Sequence, residues 1–234
     1  MSENTASGSP SSAPTTVAKA ERAKLANLLA ASGPDAPTLC EGWTTRDLAA
    51  HLVVREYRPD AAAGMFVPFL SGHLDSVQNT YGSKPYAELV EMFRSGPPAW
   101  NPMRAGDNFV NAVENFVHHE DVRRAANTGE PGQAGDVEPR ELSEAHSNEL
   151  WAAARRMLPL VCAGSPARVI LQRTDVPGGE HSSLEGGSAG GPRAQISGPA
   201  GELVLWLLGR DDVAQVKIED LTKGAQEKIK RRTI

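Results

Sequence analysis

Residues 39–52, LCEGWTTRDLAAHL, decide how the rest of the chain is read, because they lead an aromatic-closed loop into a helix with a histidine on its apolar side. A hydroxyl at Thr44 or Thr45 can accept from the orphan amides of a first turn, and Asp47 puts negative charge at the positive end of the helix dipole. The pattern predicts a helix starting near Thr45. Leu48 and Leu52 are four apart, Ala49, Ala50 and Val53 fill the turns between them, and His51 neighbours Leu48 on the wheel. One imidazole is therefore expected to point into or along a core. Taken alone, such a histidine is most simply a core residue bonded to a carbonyl.

A second cluster changes that reading. In residues 106–129, GDNFVNAVENFVHHEDVRRAANTG, Glu114 and His118 stand one helical turn apart, so both side chains can converge above one face. Phe109, Val113, Phe116 and Val117, with Glu120, trace the expected core stripe, and Val110, Glu114, His118 and Asp121 trace an adjacent one. A carboxylate, an imidazole and a third imidazole from another helix suit zinc or a similar divalent ion. His119, displaced by one residue, is the lesser candidate. Asp121 can fix the tautomer of His118 or form an i, i+3 surface pair with Arg124, and the surface pair is the simpler expectation.

C-x-G-W-x-x-R-D-L-A-A-H-L at residues 40–52, followed by E-x-x-x-H at 114–118, resembles the N-terminal domain of mycothiol-dependent maleylpyruvate isomerases, a branch of the DinB-like metal-binding four-helix proteins. The resemblance covers roughly residues 17–160. It implies a divalent-metal site, most simply zinc, made by His51, Glu114 and His118, and it implies mycothiol as a cofactor. The run I-S-G-x-x-x-x-L-x-x-W-L-x-G-R at 196–210 is similar to the C-terminal domain of the same family, whose arginine reaches the cleft; the matching position is Arg210. Locally, Arg210 can instead cap a helix by bonding its last carbonyls. The implied chemistry is addition of a thiolate to a small electrophilic alkene, rotation and elimination, or an S-transfer that stops after the first step. The other class is a non-catalytic metal- or ligand-binding module on the same bundle.

The fold expected is α+β: a disordered tail at 1–14, a DinB-like four-helix bundle at 15–160, and a small α+β domain at 161–234. The tail, MSENTASGSPSSAP, has almost nothing apolar to offset the entropy of ordering. A first helix is capped by Thr16 and stopped by Gly33, with Val17, Ala20, Lys24, Leu25, Leu28 and Leu29 along its stripe. Trp43 reads as a staple fixing the entry to the second helix, which should end near Tyr57 because Pro59 follows. Residues 60–82 read as a short or bent helix with His73 on the surface, and PYAELVEMFRSG, residues 85–96, as a helix burying Leu89, Met92 and Phe93. A helix at about 139–158 carries His146, taken as solvated. Beyond Pro159, ARVILQRT and AQIS read as strands, the glycine-rich stretch between them as a mobile connection, 200–208 as a helix and 213–218 as a last strand.

A net charge of −5 gives no electrostatic footprint for nucleic acid or an anionic membrane. The basic run KIKRR, Lys228 to Arg232, reads as a solvated helix end. Cys40 and Cys162 lie far apart with no metal or redox spacing, and no apolar run has the length of a membrane segment. A cytoplasmic protein, monomeric or homodimeric, is expected, whose partners are a small electrophile and a low-molecular-weight thiol. Cys40 reads as a small buried hydrophobe rather than a redox thiol.

Overall fold

A computed structural model describes residues 16–62, 64, 71–101, 108–125, 137–176 and 182–232. The N-terminal tail, the middle of the 60–82 segment and the side chains of Phe109 and Val110 fall outside this description. Helix α1, Val17–Ser32, starts where the Thr16 hydroxyl accepts from the Lys19 amide at 3.3 Å and ends at Gly33, whose φ of 77° a side chain would resist. Its inward face is not the expected apolar stripe. Glu21 and Arg22 are buried with Leu25, Ala26 and Leu29, while Lys24 is exposed. The charges are tolerated because partners reach them: Arg22 bonds Glu56 and the Phe93 carbonyl, and Arg140 bonds Glu21.

Helix α2, Thr45–Tyr57, begins after Thr44, whose amide and hydroxyl both donate to Asp47 Oδ2 at 2.9 and 2.8 Å. It stops before Pro59, as expected. Two short helices follow, α3 at Pro59–Ala62 and α4 at Ser71–Gly82, and then α5 at Tyr86–Ser95 and the long α6 at Asn108–Ala125. One core joins α1, α2, α5 and α6 through Leu25, Leu29, Leu48, Leu52, Leu89, Phe93 and Val122, with Trp43 packed at its edge. Each fully buried leucine there contributes about 1.5–3 kcal/mol relative to exposure.

A second core takes Val113, Phe116 and Val117 of α6 and packs them with helix α7, Glu144–Val161, with helix α8, Ala200–Leu207, and with the sheet. The sheet has four strands, β1 Arg168–Arg173, β2 Ser183–Gly187, β3 Arg193–Gly198 and β4 Lys217–Asp220, in the order β2-β1-β3-β4. β1 and β3 run parallel in the middle, and the two outer strands are antiparallel to their neighbours. Bundle and sheet are both present, giving the expected mixed α and β fold.

Several elements differ from expectation. The glycine-rich stretch contains β2, and Gly186 is needed there because a Cβ would lie 2.8 Å from Leu158 Cγ on α7. Glycine here permits close layering rather than mobility. Helix α7 starts later, at a Ser143 cap, and continues through Pro159 to Val161, since a proline in the last turn forfeits only one late hydrogen bond. The last strand lies at 217–220 instead of 213–218. In the KIKRR run Lys228 ends a short 3-10 helix, Gln226–Lys228, and Lys228, Lys230 and Arg232 are exposed as expected, but Arg231 stacks over Trp206 at 4.3 Å and pairs with Asp211. Among the described residues no helix is long and apolar enough to cross a membrane.

Candidate metal centre

His51 projects from the middle of α2, and Glu114 and His118 project from successive turns of α6. One donor atom from each of the three lies within 4.8 Å of the other two. The rings of His51 and His118 meet edge to face, 5.5 Å between centroids, and Trp43 tilts against His51 at 5.1 Å. Glu114 Oε2 is 3.4 Å from His118 Nε2. The staple residue and the helix cap thus fix the histidine that follows them.

Behind His118 stands Asp121, fully buried. Its Oδ2 lies 3.0 Å from His118 Nδ1 and accepts from Cys40 Sγ at 3.4 Å and Arg210 Nη2 at 2.8 Å, while Oδ1 accepts from Arg210 Nε at 3.1 Å. Its backbone carbonyl accepts from the Leu39 amide at 3.0 Å, which ties the 39–43 loop to α6. The surface pairing expected for Asp121 is therefore wrong, because Arg210 and His118 enclose the carboxylate and Arg124 turns elsewhere, to Glu120 and Glu202. With Nδ1 donating to Asp121, Nε2 is the nitrogen turned to Glu114.

The electrostatics follow from this enclosure. Burial, helped by charge on His118, pushes the His51 pKa down to about 3, so His51 is a neutral donor. Burial opposes ionisation of Glu114, but its bond to His118 and the nearby charges of Arg55 and His118 outweigh it and hold the carboxyl well below the usual range. Asp121 is lowered in the same way, its burial outweighed by His118 and Arg210. For His118, burial disfavours charge, yet bonds to Asp121, Cys40 and Glu114 raise its pKa well above the ordinary value. A proton on His118 therefore sits among donors that a cation would otherwise share. Two imidazoles and a carboxylate, one imidazole braced by a second carboxylate, are a donor set that fits a divalent transition metal.

The remaining candidates fall in different places. Arg210 follows Gly209, whose φ of 81° turns the chain. It donates both to the Leu208 carbonyl at 2.8 Å and to Asp121, so it is helix cap and site neighbour at once. His119 is buried but points away, its Nδ1 3.6 Å from Glu120. His73 is on the surface beside Asp60. His146, expected in solvent, is buried between Phe116 and Glu21, because α7 turns that face toward the ion pairs of α1. Cys40 is half-buried and touches Asp121, which its loop position alone did not indicate. Sequence reasoning missed Arg55, buried one turn beyond His51; its i+4 spacing was the available signal.

Comparison with known proteins bears on the same residues. Residues 17–68 match the family model described as mycothiol maleylpyruvate isomerase N-terminal domain. No curated protein shows significant similarity to the chain. A crystal structure of the mycothiol-dependent maleylpyruvate isomerase superposes with a TM-score of 0.54 at 14% identity, over 87% of this chain and 90% of that one. A histidine-to-alanine mutant of that isomerase gives 0.51 at 16% identity, over 86% and 90%. At such identities the likeness is one of fold. The family whose motifs this sequence resembles is thus the one that its residues 17–68 match and the one whose fold it shares, that of the mycothiol-dependent maleylpyruvate isomerases.

Proposed function

We propose that His51, Glu114 and His118 hold a divalent metal, zinc being the simplest fit, and that the protein uses mycothiol as a thiol cofactor to isomerise, or to transfer the thiol onto, a small electrophile. The observation that carries this is the convergence of three donor atoms, from two helices, within 4.8 Å. A bound divalent cation would supply positive charge that lowers the pKa of a thiol and makes the thiolate available at neutral pH. The chain's own groups are matched to that task. His51 and His118 offer neutral nitrogen, Glu114 offers negative charge, and Asp121 keeps the proton of His118 on the far nitrogen.

Arg210 has three of its five N–H groups engaged by Asp121 and the Leu208 carbonyl. We assign the others to the substrate. When a thiolate adds to an alkene conjugated with a carbonyl, the electron pair moves to the carbonyl oxygen, and a guanidinium stabilises that charge. Rotation about the resulting single bond and expulsion of the thiolate return the alkene in its other geometry. In an S-transfer, a proton replaces the expulsion step. This reading puts the work in the cytoplasm, where small thiols stay reduced.

The test is metal content by mass spectrometry of the purified chain after zinc reloading, for wild type, His51→Ala and Glu114→Ala, followed by mycothiol titration of the cobalt form. About one equivalent in wild type, loss in both variants and a thiol-dependent change in the cobalt spectrum are expected. No uptake by wild type would overturn the metal site. Uptake with no response to thiol would leave a non-catalytic metal-binding module.

A further inference from the structure

Four arginines are buried among the described residues: Arg22 at 9% exposure, Arg55 at 8%, Arg124 at 1% and Arg173 at 3%. Three of them answer a carboxylate. Arg22 pairs with Glu56, Arg124 with Glu120 and Glu202, and Arg173 with Asp175. Arg55 is the exception: its Nη1 donates to the neutral Asn111 Oδ1 at 3.0 Å, and among the described residues no carboxylate lies within 4.0 Å of it. A guanidinium bonded to one amide oxygen, with its nearest carboxylate beyond ion-pair distance, is less fully compensated than one held by a carboxylate.

The place of this charge is specific. Arg55 stands one turn beyond His51 on α2, and Asn111 stands one turn before Glu114 on α6, so the guanidinium bridges the same two helices that supply the three donors. Its charge is felt at both His51 and Glu114. Glu114 is within electrostatic reach but is turned to His118.

We propose that Arg55 is an anion-binding residue of this site, which takes a carboxylate of the small electrophile and so helps decide which electrophiles are accepted. This rests on the metal-site reading given above. Charge counting supports it. Asp121 cancels Arg210, Glu114 cancels Arg55, and the two imidazoles are neutral, so a divalent cation would leave the site with two positive charges. One thiolate and one carboxylate neutralise them. Arg210 is already bonded to a carboxylate through two of its nitrogens, whereas Arg55 bonds none among the described residues, so Arg55 is the stronger attractor for an incoming anion.

The experiment uses succinate, a saturated dicarboxylate that cannot react, titrated calorimetrically into the full chain with and without zinc. Wild type, Arg55→Gln and Arg55→Lys are compared, with zinc affinity measured in parallel by chelator competition and folding by thermal melting. The expected result is succinate affinity weakened at least tenfold in Arg55→Gln and by a smaller factor in Arg55→Lys, with zinc affinity unchanged or tighter once a neighbouring cation is gone. Equal succinate affinity in wild type and the folded variants, or no succinate binding by wild type, overturns the proposal. So does a parallel loss of zinc affinity, which would make Arg55 a support for Glu114. If Arg55→Gln does not fold, the Arg55→Lys comparison decides alone, because a lysine keeps the charge but not the planar fork. If wild type takes up no zinc, the metal reading fails, and the succinate comparison on the metal-free chain still judges Arg55 by itself.

Discussion

The two halves of helix α6 treat charge in opposite ways. Toward its C-terminal end, Glu120 is held by Arg123, Arg124 and Arg140, and Arg124 also reaches Glu202, so every charge is saturated by another from α6, α8 or the 137–140 segment. Nearer its middle, Glu114 and His118 face His51 and each other, with Arg55 close by and, among the described residues, bonded to no carboxylate. The first arrangement fixes the fold, and the second leaves valence for something else. The difference lies in whether the partners are supplied by the chain itself, not in residue type.

The comparison breaks most visibly at Arg124. Replacing it with alanine leaves Glu120 to Arg123 and Arg140 but strands Glu202 in a dry interior, and should cost about 3–5 kcal/mol of stability, read from urea unfolding; a change below about 1 kcal/mol would show that this half is not the anchor. Glu114→Gln, in the other half, should cost the metal-free chain less, about 1–2 kcal/mol in the same measurement, since Glu114 is partly exposed and His118 keeps Asp121 as a partner. Asp121→Asn sits between the two. Zinc affinity should fall by about 10–100-fold, because the carboxylate that orients His118 is gone, and chelator competition reads it directly.

Acidification sharpens the contrast. Glu21, Glu114, Glu120 and Asp121 all have folded pKa values below their ordinary ones. Their contribution is present above the unfolded carboxylate range near 4.5 and is lost as pH falls through the folded values. His51 and His146 are both lowered, chiefly by burial, so the unfolded chain takes up their protons first and stability declines already below 6.5. His118 runs the other way: its raised pKa adds stability below 6.5 that is lost as pH rises through the folded value. Urea midpoints of the metal-free chain should fall below about pH 6, where the His118 contribution is already complete, and both His51→Gln and His146→Gln should make that fall shallower. The smallest effect belongs to the exposed Lys84–Glu88 pair, where Lys84→Ala should change stability by no more than about 0.5 kcal/mol.

Local signals in the sequence carried most of the fold. The Thr16 and Thr44 caps, the stop before Pro59 and the paired turns of Glu114 and His118 all act within a few residues, and each stands where its pattern indicated. What escaped depended on distant partners. Nothing near Glu21 announces Arg140, nothing near Asp121 announces Arg210, and a histidine at position 146 looks solvated until α1 is packed against it. β2 escaped for a related reason, since a glycine chosen for close packing reads locally as a flexible one. Periodicity put Glu114 with His118 on one face and His51 beside a buried stripe, while joining the three into one site came from the resemblance to a known family. The hub at Asp121 and the setting of Arg55 were not legible, because neither burial nor a distant partner is written in spacing.

Gly186 and Leu158 carry a consequence for how closely helix and sheet approach. Any side chain at 186 places its first carbon 2.8 Å from Leu158 Cγ and 3.3 Å from the Leu158 carbonyl oxygen, in a region where Leu158 itself is 1% exposed. Cγ could leave only into a region already filled, and the carbonyl oxygen is backbone that no side-chain change removes. A smaller residue at 158 would therefore relieve only part of the contact, and the distance between helix and sheet is set by the missing side chain at 186.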